Sequence, residues 1–325
     1  MITVVHKPAW FRDGEVFVSY APTVGINKDG EDLFVVDPVT GNRTNVIDDQ
    51  IAADVTALMD DLDTTETSRW VGVGDLTHQL TAVPNYFDER PLREFFALTD
   101  SPEMEEFTSA SIGELIEGKI LIGMNGHGSP SADFRTGLVP YIKVSDIRAG
   151  QVNINPTNRV PDVVAEKFWK GSVSGLKEYD LITPIRTSKN IGDFAVIMPG
   201  QERVVLTKEV LVLRASDSAP FDNFYLLWAM TLKAVRRQWD RIVFMQTNRE
   251  DVGRRYLEIR IPVPSSREVA DEVSRAFREY YLGTQRLREN FVNYLESDDK
   301  HHIFMSTVPA VAEELDDEAE VGGLE

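Results

Sequence analysis

Apolar positions change their pattern twice along the chain. Through residues 14–60 they come as short β-branched runs, Val16–Tyr20 and Leu33–Val36, parted by the Asn27-Lys28-Asp29-Gly30 turn, with a second turn at Pro38–Gly41. A helix follows over Asp48–Met59. Trp70–Leu80 and Pro84–Asp88 are connecting segments, a helix is expected near Pro91–Leu98, and the polar, acidic stretch Ser101–Ser109 marks the expected domain boundary. The middle of the chain predicts short strands at Lys119–Ile122, Val139–Ile147, Asp180–Ile185, Phe194–Met198 and Glu209–Leu213, with turns at Gly171–Gly175 and Pro199-Gly200. A helix capped by Ser218, with Pro220 in its first turn, runs to about Arg241, burying Phe224, Leu227, Trp228, Thr231 and Val235. The strand Leu257–Ile261 ends at Pro262-Val263-Pro264.

From residue 265 the period becomes helical. Ser265 with Glu268 makes a capping-box signature, and two rows repeat every seventh residue to about Leu295. One row is Ala270, Phe277, Thr284 and Phe291; the other is Val273, Tyr280, Leu287 and Tyr294. Such rows describe either a coiled-coil seam or a long helix packed on its own domain. The acidic tail Glu313–Glu320 is expected to be disordered. The pattern divides the chain into an acidic N-terminal region (1–105), a mixed domain (106–264), a coiled-coil helix (265–298) and a tail (299–325). The fold class it predicts is α+β.

Composition narrows the chemistry. The 325 residues hold no cysteine, which excludes disulfides, thiolate nucleophiles and cysteine-bound zinc, and fits a reducing cytoplasm. Neither a signal-peptide pattern nor an apolar run long enough for a membrane span is present, so a soluble cytoplasmic protein with no membrane role is expected. The net charge of −19 is unevenly placed. Residues 1–118 carry 7 basic against 23 acidic residues, residues 119–260 carry 21 against 15, and residues 261–325 carry 6 against 15. A basic middle between acidic ends suits an anionic ligand at the centre.

Catalytic motifs are sparse. There is no Walker loop, and the Asn/Asp-Pro-Pro-aromatic motif that holds a flipped adenine is missing, since Asn155-Pro156-Thr157 does not fit it. Glu117-Gly118-Lys119 has the E-x-K spacing of a metal-dependent nuclease without a convincing upstream aspartate. His6, His78, His127, His301 and His302 show no ligand spacing on one helix face. The glycine-rich loop 123–131, interleaved further on with Arg135, Lys143 and Arg148, offers close backbone approach and charge for phosphates.

A series of segments carries a family resemblance: G-H-G-S-P-S at 126–131, G-L-V-P-Y-I-K-V-S-D-I-R-A-G at 137–150, I-R-T-S-K-N-I-G-D-F-A-V at 185–196, L-V-L-R at 211–214, F-Y-L-L-W-A-M at 224–230 and L-E-I-R-I-P-V-P at 257–264, leading into a long helix. In this order and spacing the chain resembles the DNA-specificity (S) subunits of Type I restriction–modification systems. E-V-F-V-S-Y-A-P-T-V-G-I-N-K-D-G-E-D-L at 15–33, D-P-V-T-G at 37–41 and N-Y-F-D at 85–88 are similar to the tail of a Type I-like adenine methyltransferase and the lead-in to a recognition domain.

The resemblance implies a non-catalytic reader of double-stranded DNA that directs a partner adenine-N6 methyltransferase. It implies no cofactor in this chain and S-adenosylmethionine in the partner. Family members usually carry two recognition domains and two helices, where this chain has one of each. A homodimer, or a second specificity protein joined through the C-terminal helix, would restore a two-part site.

A DNA reader needs basic and polar side chains for phosphates and base edges. The glycine loop offers Asn125, His127, Ser129, Ser131 and Arg135, followed by Lys143 and Arg148. Later segments add Arg186, Ser188, Lys189 and Asn190, then Gln246, Asn248, Arg249, Arg254 and Arg255. For the helix interface the candidates are Val273, Phe277, Tyr280, Leu287, Phe291 and Tyr294. Two rival functions are a nuclease using Glu117 and Lys119, and a protein-interaction adaptor that no longer binds DNA.

Overall fold

The computed structural model describes residues 11–61, 64–79, 83–128, 136–155, 157–169, 175–186, 189–244 and 252–297, with the backbone alone at 61 and 77–79. The chain forms two compact units, Met1–Pro91 and Leu92–Glu325. The division falls ahead of the polar segment 101–109, because the end of that segment is not a linker. Phe107–Ser111 is a strand whose five residues all pair antiparallel with Arg260–Pro264, which ties it to the larger unit.

In the smaller unit β1 (Glu15–Ser19) pairs antiparallel with β4 (Ser68–Gly72), burying Val18 and Val71. Between them β2 (Phe34–Val36) and β3 (Arg43–Ile47) form a hairpin. Its turn is organised by Asp37, whose carboxylate accepts from the amides of Val39 and Thr40 at 2.8 and 3.1 Å. Those amide bonds hold the Asp37 carboxyl below the usual carboxylate range. Helix α1 (Gln50–Thr56) is capped by Asp49, which accepts from the Ala52 amide at 2.9 Å. Inside α1, Asp54 is fully buried and accepts from the hydroxyls of Ser19 (2.5 Å), Thr67 (2.7 Å) and Thr65. Three donors on one buried carboxylate satisfy it and fasten α1 to β1 and to the approach to β4. Helix α2 (Val73–Gln79) follows directly on β4.

The larger unit contains, in order, α3 (Arg90–Thr99, opening at the junction), β5 (Phe107–Ser111), α4 (Ile112–Glu117), β6 (Leu121–Asn125), β7 (Val139–Ile142), β8 (Ile147–Arg148), β9 (Gln151–Val152), β10 (Arg159–Val160), α5 (Asp162–Trp169), β11 (Leu181–Pro184), β12 (Ala195–Val196), β13 (Val205–Leu206), β14 (Val210–Ala215), α6 (Asn223–Thr231), α7 (Lys233–Ile242), β15 (Arg260–Pro264) and α8 (Arg267–Glu296). The main sheet is antiparallel in the order β12-β11-β14-β6, and a smaller one runs β10-β7-β13 with β13 parallel to β7. Strands β11 and β14 read as continuous apolar runs because their side chains are covered on both faces. Ile142, Ile182, Ala195, Leu206, Val210 and Val212 share one core, while Val139, Tyr141, Val160 and Val205 pack under α5. The architecture is α+β.

Three helical details depart from the sequence pattern. The expected single helix from Ser218 is two, α6 and α7, broken at Leu232, whose ψ of 130° is extended. Its cap is Asp222, which accepts from the amides of Phe224 and Tyr225 at 3.0 and 3.1 Å. Ser218 is turned instead to the Lys119 carbonyl and Ser216. Helix α6 is buried nearly all round, including Tyr225, Leu226, Ala229 and Met230, while the expected core residue Thr231 is exposed. Burial pushes the Tyr225 hydroxyl far up, and it donates to the Pro262 carbonyl at 2.9 Å. Helix α8 is capped by Ser266 rather than Ser265, with the Val269 amide donating at 3.4 Å.

The register of α8 is set by charge at its first turns. Asp222 receives Arg267 at 3.3 Å and Arg278 at 2.6 Å, and both arginines also reach Asp271. Further along, Ala270, Ser274 and Tyr281 form the buried stripe against the domain. Asp222→Ala removes a helix cap worth about 1 kcal/mol and the partner of two half-exposed arginines worth at most about 1 kcal/mol each. Urea unfolding should show a loss of about 1–3 kcal/mol, and Asp222→Asn, which keeps the capping oxygen, should lose less.

Candidate nucleic-acid interface

The hydrogen-bond ladder brings separate segments to one end of the main sheet. Strand β6 ends at Asn125 opposite Leu211, near the start of β14, and β11 ends at Pro184 opposite Val210. From β6 the glycine loop continues through bonds from the Gly126 amide to the Val210 carbonyl (2.7 Å) and from the His127 amide to the Leu206 carbonyl (2.9 Å). From β11, Ile185 donates to Glu209 at 2.9 Å, and the Ile185 carbonyl accepts from Val252 at 3.0 Å. Asn125, His127, Arg186 and Arg254 therefore belong to segments anchored at the same sheet end. Ser129, Ser131, Arg135, Ser188, Gln246, Asn248 and Arg249 lie outside the described residues.

Glycines shape this end, for a reason other than approach to a ligand. A Cβ on Gly126 would lie 1.9 Å from the Thr207 carbonyl oxygen, and one on Gly128 would lie 2.4 Å from the Phe168 ring. The loop needs glycine because it closes on its own protein. His127 takes part in that closure, since its Nδ1 accepts from the Leu206 amide at 3.1 Å. That bond makes Nδ1 the unprotonated nitrogen of the ring.

Arg148, Lys189 and Asn190 meet at an open cleft of about 500 Å³ beside this end, together with Val144, Ser145, Ala149 and Asp193. Asn190 holds the two walls together by donating to the Ile147 carbonyl at 2.7 Å. Arg148 Nε donates to the Ser145 carbonyl at 3.0 Å, which fixes the side chain on its wall. The wall turns sharply after Arg148, with Ala149 and Gly150 at φ 51° and 75°. The Gly150 carbonyl accepts from the Tyr281 hydroxyl of α8 at 3.1 Å and from the Val196 amide at 3.3 Å. Burial pushes the Tyr281 hydroxyl up to about 12.

Other candidates are held by the fold itself. Lys143 donates to Asn158 at 2.7 Å and is half-buried. Arg255 donates to the Ile242 carbonyl at 3.0 Å and stacks 3.9 Å over Phe244, while Arg254 beside it is exposed. The arginines of α7 are paired: Arg236 with Asp193, Arg237 with Glu94 and Arg241 with Glu258. Ser145 and Asp193 were not anticipated as cleft residues; their only signal in the sequence is that each lies in a polar turn next to an apolar strand.

The nuclease pair has no built site. Glu117 and Lys119 are exposed at the end of α4, and the Lys119 carbonyl receives Ser216 at 2.7 Å. Among the described residues no cluster of three metal-ligating side chains exists, and no helix is long and apolar enough to cross a membrane. On α8, Val273 and Phe277 are half-buried, while Tyr280, Leu287, Phe291 and Tyr294 are exposed.

No protein-family model matches the sequence, and no curated protein is significantly similar to it. Among solved structures the chain is similar to the Type I restriction–modification S subunit from M. genitalium, at 14% identity and TM-score 0.39 over 60% of this chain and 43% of that one. It is similar to the type IIG restriction endonuclease BpuSI at 10% identity and TM-score 0.42, over 70% and 33% of the two chains. The HsdS subunit from Thermoanaerobacter tengcongensis gives 15% and 0.35, over 74% and 52%. The chain thus spans less than two thirds of each.

The close approach at Gly126 gives a direct check on the loop. Gly126→Ala should lower stability by about 1–3 kcal/mol through overpacking. Gly283→Ala, on α8 with open space around it, should raise it by about 1 kcal/mol; thermal unfolding of the two variants measures both signs.

Proposed function

We propose that the chain is a sequence-specific, double-stranded-DNA-binding specificity subunit of a Type I-like restriction–modification system, directing a partner adenine-N6 methyltransferase to its site. The observation that carries this reading is the convergence of the Asn125–His127, Ile185–Arg186 and Val252–Arg254 segments at one end of the main sheet. Polar and basic side chains spread over a protein surface are ordinary; the same groups gathered on loops at one edge of a rigid sheet suit a groove-reading surface. The basic balance of residues 119–260 supplies the attraction for phosphates.

Catalysis and S-adenosylmethionine would reside in the partner. The acidic N-terminal unit is the expected docking element for that methyltransferase. One reading unit and one long helix leave a two-part site half served. The exposed residues Tyr280, Thr284, Leu287, Phe291 and Tyr294 alternate at spacings of four and three along the outer half of α8, the repeat of a coiled-coil seam. A second copy, or a second specificity protein, is the proposed occupant.

Two measurements test this. Co-expression with the cognate methyltransferase should change its methylation pattern; an unchanged pattern with and without this chain refutes the reading. In light-scattering chromatography the wild type should be a dimer and Leu287→Glu a monomer. A wild type that stays monomeric both alone and with its methyltransferase would count against the seam.

A further inference from the structure

We infer that the Arg148–Lys189 cleft holds a backbone phosphate of the bound duplex and takes no part in selecting its sequence. The inference rests on the reading of the chain as a DNA binder and divides its candidate residues by role. Selecting a base requires a side chain to present a pattern, such as the donor and acceptor of an amide or the fork of a guanidinium. The Asn190 amide and the Nε edge of the Arg148 guanidinium are turned to the walls of the cleft. The Asn190 amide donates to the Ile147 carbonyl at 2.7 Å, and Arg148 has its Nε on the Ser145 carbonyl at 3.0 Å.

What remains available is charge. Lys189 offers three donors without directional pattern, and Arg148 offers its terminal nitrogens. The acid in the lining, Asp193, is matched by Arg236 at 3.2 Å, so it does not offset the two cations. Val144 and Ala149 complete the lining with apolar surface, suited to the carbon face of a deoxyribose. A volume of about 500 Å³ has room for a sugar-phosphate unit. The cleft is also held more stiffly than a reading loop needs to be. Its wall is tied at Gly150 to both Tyr281 and Val196, and such stiffness serves contacts that fix register on the duplex.

The experiment compares wild type, Arg148→Gln, Lys189→Gln and the double variant in binding a mixed-sequence duplex across a salt series. Arg148→Lys serves as a charge-retaining control, and urea midpoints establish that every variant is folded. The double variant, which leaves that phosphate without a cation, should reduce the slope of log affinity against log salt by about 1, and each single neutral variant by part of that. Arg148→Lys should keep the wild-type slope. Selection from a randomised duplex pool should return the same preferred sequence for all of them. Unchanged slopes in folded variants, or a changed preference at one base position, would overturn the phosphate assignment while leaving DNA binding intact. A wild type with no affinity for any duplex at low salt would overturn the DNA-binding reading itself.

Discussion

The larger unit depends on how one carboxylate, Asp222, is shared. It closes the first turn of α6 by accepting two backbone amides, and the same group receives Arg267 and Arg278 from α8. Helix α6 is buried on nearly every side, so it cannot be oriented by an apolar stripe alone. The cap fixes where it begins. The two arginines then fix where α8 lies across it, and Arg278 also sits over the Phe224 ring at 5.4 Å. None of these contacts is strong singly, but they act at one point, and geometry there propagates along a helix of 30 residues.

The opposite end of the sheet is organised by close approach. Glycine at 126 and 128 lets the loop lie against the Thr207 carbonyl and the Phe168 ring, and His127 closes it with a side-chain bond to the backbone. The buried bidentate pair of Arg214 with Asp180, at 2.5 and 2.6 Å, braces the same sheet where β14 and β11 run side by side. The loops at this end are held in place by the bonds that anchor them. Here the stiffness comes from the scaffold beneath them.

Much of this was legible in the sequence, and the failures have physical causes. Strands were expected at Val139–Ile147, Asp180–Ile185 and Glu209–Leu213 because apolar runs between turn residues have few other uses; they form at Val139–Ile142, Leu181–Pro184 and Val210–Ala215, the first ended by a turn at Val144–Asp146. The break at Leu232 was invisible, since no glycine or proline marks it; tertiary packing of α6 against its neighbours overrides the local pattern. Asp222 caps α6 where Ser218 was expected to, because both residue types make good caps and only the fold decides which one faces the amides. On α8 the apolar rows left open a coiled-coil seam or packing on the chain's own domain, and neither row is the stripe that packs. The inner stripe instead runs through Ser274, whose hydroxyl donates to the Ala270 carbonyl at 2.7 Å and so hides a buried position behind a polar residue. The candidate residues were legible only as groups. Their division into wall, anchor and contact depended on hydrogen bonds between segments far apart in the chain.

The way the sheet end carries its loops has a consequence for variation. The glycine loop, the segment after β11 and the Val252 segment are fastened through main-chain amides and carbonyls: Gly126 to Val210, Ile185 to Glu209, Val252 to Ile185. A backbone bond does not depend on the side chain of the residue that makes it. Side chains at Asn125 and Arg254, both exposed, can therefore be exchanged without breaking the main-chain bonds that anchor their loops. Glycine 126 and the Asp222 node, by contrast, tolerate little. The molecule separates what can drift from what must stay.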